Sequence, residues 1–213
     1  MPIPAQLIAP FEEENYYHII CKSLNNQLLF VNNENKRFFL QRYKFYLHPF
    51  SSTLAYCLLN NHVHFIIKML SISQVIDQLR ASAQSITINQ RHFLDNPVNE
   101  QLDILMERQF NSFFVSYTKS FNNYYKRKGN LFQNPFKRVY LKDEMQTTQA
   151  IIYVHANAQK HKLVNHFAAY RWSSYTSILS NHATLLSRDE VLSWFGGKEG
   201  FIEAHKVQSA YYY

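Results

Sequence analysis

Two histidines one residue apart, His62 and His64, stand in the apolar run His62-Val63-His64-Phe65-Ile66-Ile67. On an extended strand, residues i and i+2 share a face, so both imidazoles point the same way while Val63 enters the opposite layer. Two adjacent neutral imidazoles make half of a divalent metal site. Tyr153 and Asn157 form a second pair, four residues apart and so on one face of a helix. There a phenol can serve as a nucleophile and an amide oxygen as a metal ligand. Neither pair is specific alone. Ten histidines in 213 residues give about half a His-x-His by chance, and buried, hydrogen-bonded strand histidines are the ordinary alternative.

Charge points toward a polyanion. The 22 Lys and Arg outnumber the 15 Asp and Glu by 7. One window matches that whole excess: Lys119, Lys126, Arg127, Lys128, Lys137, Arg138 and Lys142, with no acidic residue from 119 to 142. Phe121, Tyr124, Tyr125, Phe132, Phe136 and Tyr140 interleave with it. Cations of this kind pair with phosphates, and unstacked bases lie on such rings. The plainer reading is a core of aromatics beside a solvated, basic helix end.

Particular elements must position these groups. Residues 15–22 form a β-prone run, and a helix capped near Asn32 to Glu34 follows, with Phe38, Phe39, Arg42 (by its stem), Phe45 and Tyr46 on its buried face and Pro49 at its end. Residues 52–59 and 62–70 are two β-rich runs across a tight turn at Asn60-Asn61. This β-α-β-β order suggests a helix packed on one face of a mostly antiparallel sheet. A helix over 73–85 and a loop around Pro97 come next. Leu102, Met106, Phe110, Phe113, Tyr117, Phe121 and Tyr124 then mark one stripe of a long helix that Gly129 stops. Residues 131–141 read as extended, bent at Pro135. Asp143 and Gln146 make a capping pattern for the helix that carries Tyr153, with Met145, Thr148, Ile152 and Ala156 expected on its apolar face. Short helices, 188–195 among them, fill the tail to Tyr211-Tyr212-Tyr213.

Composition narrows the class. With 46% hydrophobic residues the chain is globular rather than disordered. Four glycines argue against a glycine-rich phosphate loop. There is no run of 18 apolar residues to span a membrane, and Met1-Pro2-Ile3-Pro4-Ala5 has no secretory character. Cys21 and Cys57, both in apolar stretches, suit free thiols in a reducing cytoplasm.

The two pairs gain meaning from their order. Ala55-Tyr56-Cys57-Leu58-Leu59-Asn60-Asn61-His62-Val63-His64 comes first, then the long helix ending in Lys126-Arg127-Lys128-Gly129, then Tyr153-Val154-His155-Ala156-Asn157-Ala158-Gln159-Lys160 through Val164, then Trp172-Ser173-Ser174-Tyr175. This order resembles the REP-associated tyrosine transposase branch of the single-tyrosine HUH transposases. Their motifs run Ala-Tyr-Cys-Leu-Met-Pro-Asn-His-Val-His, Tyr-Ile-His-x-Asn-Pro-Val-Lys-x-Gly-Leu-Val and Trp-x-Ser-Ser-Tyr. The likeness spans residues 15–205. Asn60 stands where the family has Pro, Ala158 where it has Pro and Lys162 where it has Gly. An N-terminal His-Val-x-Asn-Arg-Gly element is kept only in part, as His18-Ile19-Ile20-Cys21-Lys22-Ser23.

The resemblance implies an α+β fold: a ferredoxin-like (RRM-like) antiparallel sheet with helices on one face, of the HUH endonuclease type, and a C-terminal helical extension. It divides the chain into a catalytic domain over 1–165 and an extension over 166–213 packed on it. It makes His62, His64 and Asn157 the ligands of Mg2+ or Mn2+ and Tyr153 the nucleophile, with the basic window against DNA. The activity implied is a cytoplasmic, nucleoid-associated transposase that cleaves and rejoins single-stranded DNA near hairpins through a 5′-phosphotyrosine. Whether Tyr153 works with its own histidines or across a homodimer stays open. Two other readings stand beside it: a catalytically silent, domesticated nucleic-acid-binding relative, and a zinc hydrolase using the histidine pair with His155 or a carboxylate.

Overall fold

The computed structural model of the protein describes residues 4, 7–82 and 86–212; residues 1–3, 5 and 6, the end of the expected 73–85 helix, and Tyr213 lie outside the described residues. Four strands, β1 (Tyr16–Lys22), β2 (Ser51–Leu58), β3 (His62–Met69) and β4 (Lys137–Leu141), form an antiparallel sheet in the order β2-β3-β1-β4. Helix α1 (Asn33–Leu47) links β1 to β2. Helices α2 (Ile72–Ala81), α3 (Ile88–Asp95) and α4 (Asn99–Tyr125) lie between β3 and β4. Helix α5 (Glu144–Lys160) follows β4, and α6 (Tyr175–Leu179), α7 (Arg188–Trp194) and α8 (Lys198–Ser209) complete the chain.

Local chemistry sets the boundaries. Asn32 and Asn35 cap α1 reciprocally. Asp143 accepts a hydrogen bond from the Gln146 N–H at 2.7 Å at the start of α5, as the capping pattern expects. The β2–β3 turn at Asn60-Asn61 is closed by the Leu59 N–H donating to His62 O at 3.0 Å.

The sheet is covered on both faces, not one. Alternation along β3 sends Val63, Phe65, Ile67 and Met69 to the face packed by α1 and α4, where Tyr43 stacks on Phe65 with ring centroids 4.2 Å apart. His62, His64 and Ile66 emerge on the other face, under α5. A second layer is required because the sheet buries apolar side chains on both sides, Ile66 as completely as Phe65.

Helix faces differ from expectation in two places. Helix α1 buries Lys36, Phe39, Tyr43 and Leu47, whereas Phe45 is exposed. Met145 on α5 is also exposed. That helix is buried over Ile151, Ile152 and Val154 through Ala158, since the sheet lies on one side of it and α8 on the other. The long stripe on α4 holds from Leu102 to Phe121, and only Tyr124 turns to solvent.

Residues after 165 pack on the sheet rather than apart from it. Leu58 N–H donates to Trp172 O, and Ser174 N–H to Tyr56 O, both at 2.9 Å, so the Trp-Ser-Ser segment covers the free edge of β2. The Trp172 indole N–H donates to Asn33 Oδ1 at 2.9 Å. Cys21 and Cys57 are buried free thiols. Among the described residues, no helix is long and apolar enough to cross a membrane.

Candidate active site

The histidine face of the sheet carries three imidazoles. His62 and His64 are two residues apart on β3, with ring centroids 5.1 Å apart. The third, His18, comes from β1 beside them, and its Nε2 lies 2.9 Å from His64 Nδ1. Burial pushes the imidazoles of His18 and His62 down to about 4, and holds that of His64 well below the usual range. All three are therefore neutral near pH 7, the form that offers a lone pair to a metal.

Free lone pairs point the same way. The amide oxygen of Asn61 lies 2.7 Å from His62 Nδ1 and can only accept, so that nitrogen carries the proton and His62 Nε2 keeps its lone pair. His64 Nε2 is buried without a hydrogen-bond partner. A buried polar atom with nothing to bond is costly and rare enough to call for an explanation.

Helix α5 lies over these groups. Tyr153, Asn157 and His161 succeed one another at four-residue spacing along one stripe. The ends of the stripe are fixed: the Tyr153 ring is 5.9 Å from that of His64 and 6.0 Å from that of His18, and the His161 ring is 4.8 Å from that of His62. Asn157, between them, is therefore held over the histidine pair. It is fully buried, its Nδ2 donates to Tyr153 O at 2.7 Å, and its Oδ1 has no partner. A single chain thus brings Tyr153, Asn157 and both histidines together.

Two imidazoles and an amide oxygen, two of their atoms buried and unbonded, suit a divalent cation that completes its shell with phosphate or water oxygens. Among the described residues, no three His, Cys, Asp or Glu side chains are arranged to hold a metal. His155 cannot extend the set, because both its ring nitrogens are engaged. The carbonyl of Phe201 only accepts, so His205 donates to it through Nδ1 at 2.8 Å and accepts through Nε2 from His155 Nδ1 at 2.8 Å. His155 Nε2 then accepts from Ser174 Oγ at 2.7 Å. These bonds fasten His155 between α8 and the Trp-Ser-Ser-Tyr segment, where Ser174 has a structural role.

Around the nucleophile candidate, the Lys160 ammonium lies over the Tyr153 ring, 5.2 Å from its centroid. The Tyr212 ring, from a 3-10 turn after α8, lies 5.3 Å from that of Tyr153. The Tyr153 hydroxyl has no hydrogen-bond partner among the described residues.

The basic window divides. Lys119, Lys126, Lys128 and Lys142 are exposed. Lys137 shares a cross-strand row with Ile20 and His64, which puts it on the histidine face. Arg127 is half-buried and bonds Asn122 Oδ1 at 2.8 Å and Gln27 Oε1 at 2.5 Å, fastening the end of α4. Arg138 departs from expectation. It is 7% exposed, pairs with Glu107 at 2.6 Å and with Asp103 at 3.7 Å, and donates to Ala9 O. Strand alternation turns it away from Lys137, onto α4, so it is not a surface cation. Lys22, by contrast, pairs in register with His62 and joins the basic groups of the site face. Strand register brings His18 beside His64 and Lys22 beside His62. The only trace of this in the chain is the partial His18 to Ser23 element.

No protein-family profile matches the chain, and no curated protein matches it. Among solved structures it is similar to a REP-associated tyrosine transposase bound to a REP hairpin, with a TM-score of 0.53 and 14% identity over 81% of this chain and 84% of that one. At that identity the likeness shows a shared fold.

Proposed function

We propose that this chain, folded like a REP-associated tyrosine transposase, is a metal-dependent endonuclease and strand transferase of the HUH type, acting on single-stranded DNA beside hairpins. Its sheet order, β2-β3-β1-β4, and its β-α-β-β-helix-β connectivity support reading the fold as ferredoxin-like. The observation that carries the reading is a pair of buried, unbonded acceptors, His64 Nε2 on β3 and Asn157 Oδ1 on α5, with the Tyr153 ring, one helical turn before Asn157, 5.9 Å from that of His64.

His62 Nε2, His64 Nε2 and Asn157 Oδ1 would hold Mg2+ or Mn2+. When bound, the cation neutralises phosphate charge and that developing on a departing oxygen. With His64 bonding through Nε2, its Nδ1 bears the proton and donates to His18 Nε2, which fixes ring and tautomer. Lys22 and Lys137 attract the DNA backbone to this face. Tyr153 gives up its phenolic proton to water, and its oxygen bonds to phosphorus. The P–O3′ bond breaks, and the 3′ oxygen takes up a proton. The products are a 5′-phosphotyrosine and a free 3′-OH. The phenol is a good leaving group, so a second 3′-OH can reverse the step and rejoin strands. The site would work in the cytoplasm, with Tyr153 and the ligands contributed by one chain.

Incubation with a hairpin oligonucleotide bearing single-stranded flanks, in Mn2+, tests this. A DNA–protein adduct surviving denaturing electrophoresis, absent in Tyr153→Phe, is the expected result. DNA binding without an adduct on any flank would instead mark a silent relative, and nucleotide release without an adduct a hydrolase.

A further inference from the structure

Beside His62, on the side away from Tyr153, a recess of about 240 Å3 opens between the turn after β1, the β2–β3 turn and the end of α5. Its walls include Leu28 and Leu163, 51% and 36% exposed, and its rim carries Asn26 and Asn60. Both amides are exposed, and neither makes a side-chain hydrogen bond among the described residues. His62 and His161 close the inner end. Two apolar faces with free amides on the rim match a nucleobase, whose faces are apolar and whose edge carries donors and acceptors. Asn and Gln side chains are the common bidentate readers of such edges. A recess of this size suits one unpaired base, and flanking leucines hold such a base as well as any apolar surface does.

Position identifies the base. In an in-line displacement, the attacking and departing oxygens lie on opposite sides of phosphorus. Tyr153 approaches from the His18–His64 side, and the recess opens on the His62–His161 side. A phosphate between them thus directs its 3′-oxygen, the departing one, toward the recess.

We infer that this recess is a specificity slot for the nucleotide on the 5′ side of the cut, the one that leaves with the free 3′-OH. Asn60 and Asn26 read its base edge, and Leu28 and Leu163 hold its faces. This rests on the reading of Tyr153 as the attacking group. Asn60 is one of the positions at which this chain departs from the motif it resembles. With an amide where a proline would offer none, the slot selects in a way particular to this protein.

Two measurements test the slot and keep its failure distinct from that of the catalytic reading. Calorimetric titration of the four deoxynucleoside 3′-monophosphates in Mn2+ needs no cleavage. One base should bind tenfold or more tighter than the weakest. That preference should fall below about threefold in Asn60→Ala and in Asn26→Gly, which keeps the left-handed backbone of Asn26 (φ 54°). The 5′-monophosphates should show no comparable preference. In parallel, hairpin oligonucleotides with randomised flanks are captured as adducts and sequenced, and both variants should lose selectivity at the one position 5′ of the cut. Equal binding of all four 3′-monophosphates, or a base preference unchanged in both variants, overturns the slot. Absence of any adduct alongside base-selective 3′-monophosphate binding overturns the catalytic reading alone.

Discussion

His18 Nε2 lies 2.9 Å from His64 Nδ1, so a residue of β1 sets the orientation of the imidazole proposed as a ligand on β3. Partners of this kind commonly contribute 10- to 100-fold to metal affinity. His18→Ala should therefore weaken Mn2+ binding by about that factor, while circular dichroism stays native. A Mn2+ titration followed by thermal shift reads it directly. Unchanged affinity would place the metal elsewhere.

Arg138 and Lys137 are neighbours in sequence with opposite fates, and this yields a paired prediction. Arg138→Ala removes a buried guanidinium from Glu107, Asp103 and Ala9 O, and should cost about 2–4 kcal/mol of stability in urea unfolding. It should leave the salt dependence of DNA binding unaltered. Lys137→Ala should do the reverse: little effect on unfolding, and a salt slope reduced by about 1 if it meets a phosphate.

Acid should destabilise the fold. Burial pushes His205 down to about 4, and His155 well below the usual imidazole range. The groups against them, Ser174, the Phe201 carbonyl, and the Tyr175 and Phe195 rings, are uncharged, and so offer no counter-charge to an imidazolium. The unfolded chain thus binds protons that the folded chain refuses, and stability rises with pH through this window. It is complete above about pH 6.5 and is lost as pH falls toward 4. His18 and His62 act in the same direction. Unfolding free energies from urea titrations at pH 7.5 and 5 should differ by roughly 1–2 kcal/mol for each such imidazole, and His205→Gln should shrink the difference. A flat profile would mean these imidazoles stay accessible to protons in the folded state.

Lys162 sits at φ 56° just after α5, where Leu163 N–H returns to Ala158 O at 2.9 Å. The left-handed region is costly for a residue with a Cβ. Lys162→Gly should raise stability by about 0.5–1 kcal/mol in thermal unfolding. The resembled motif has glycine at this position, and the backbone supplies the reason.

Local patterns read well from the chain. Strand alternation put His62 and His64 on one face, and helical spacing aligned Tyr153 with Asn157. Both relations span a few residues. The rest of the site depends on which strands lie side by side. His18 meets His64 only because β1 pairs with β3, and Arg138 turns from the histidine face to α4 only because of its register against Ile19. Ile152 and Ala156 are buried on α5 as its spacing predicts, whereas the contact of that helix with α8 comes from an element many residues away. Such information lies in tertiary pairing and not in any window of sequence.

The central position of β1 also bears on how the protein is made. Its pairing with β3 can form early, but β4 reaches its other edge only after α1, β2, β3, α2, α3 and α4 have been synthesised. Until then the nascent chain carries an open strand edge flanked by apolar Ile19 and Cys21, a surface prone to pairing with other chains. High contact order of this kind slows folding. Yield from the ribosome should therefore respond more to chaperone supply and temperature than the stability of the finished sheet would suggest.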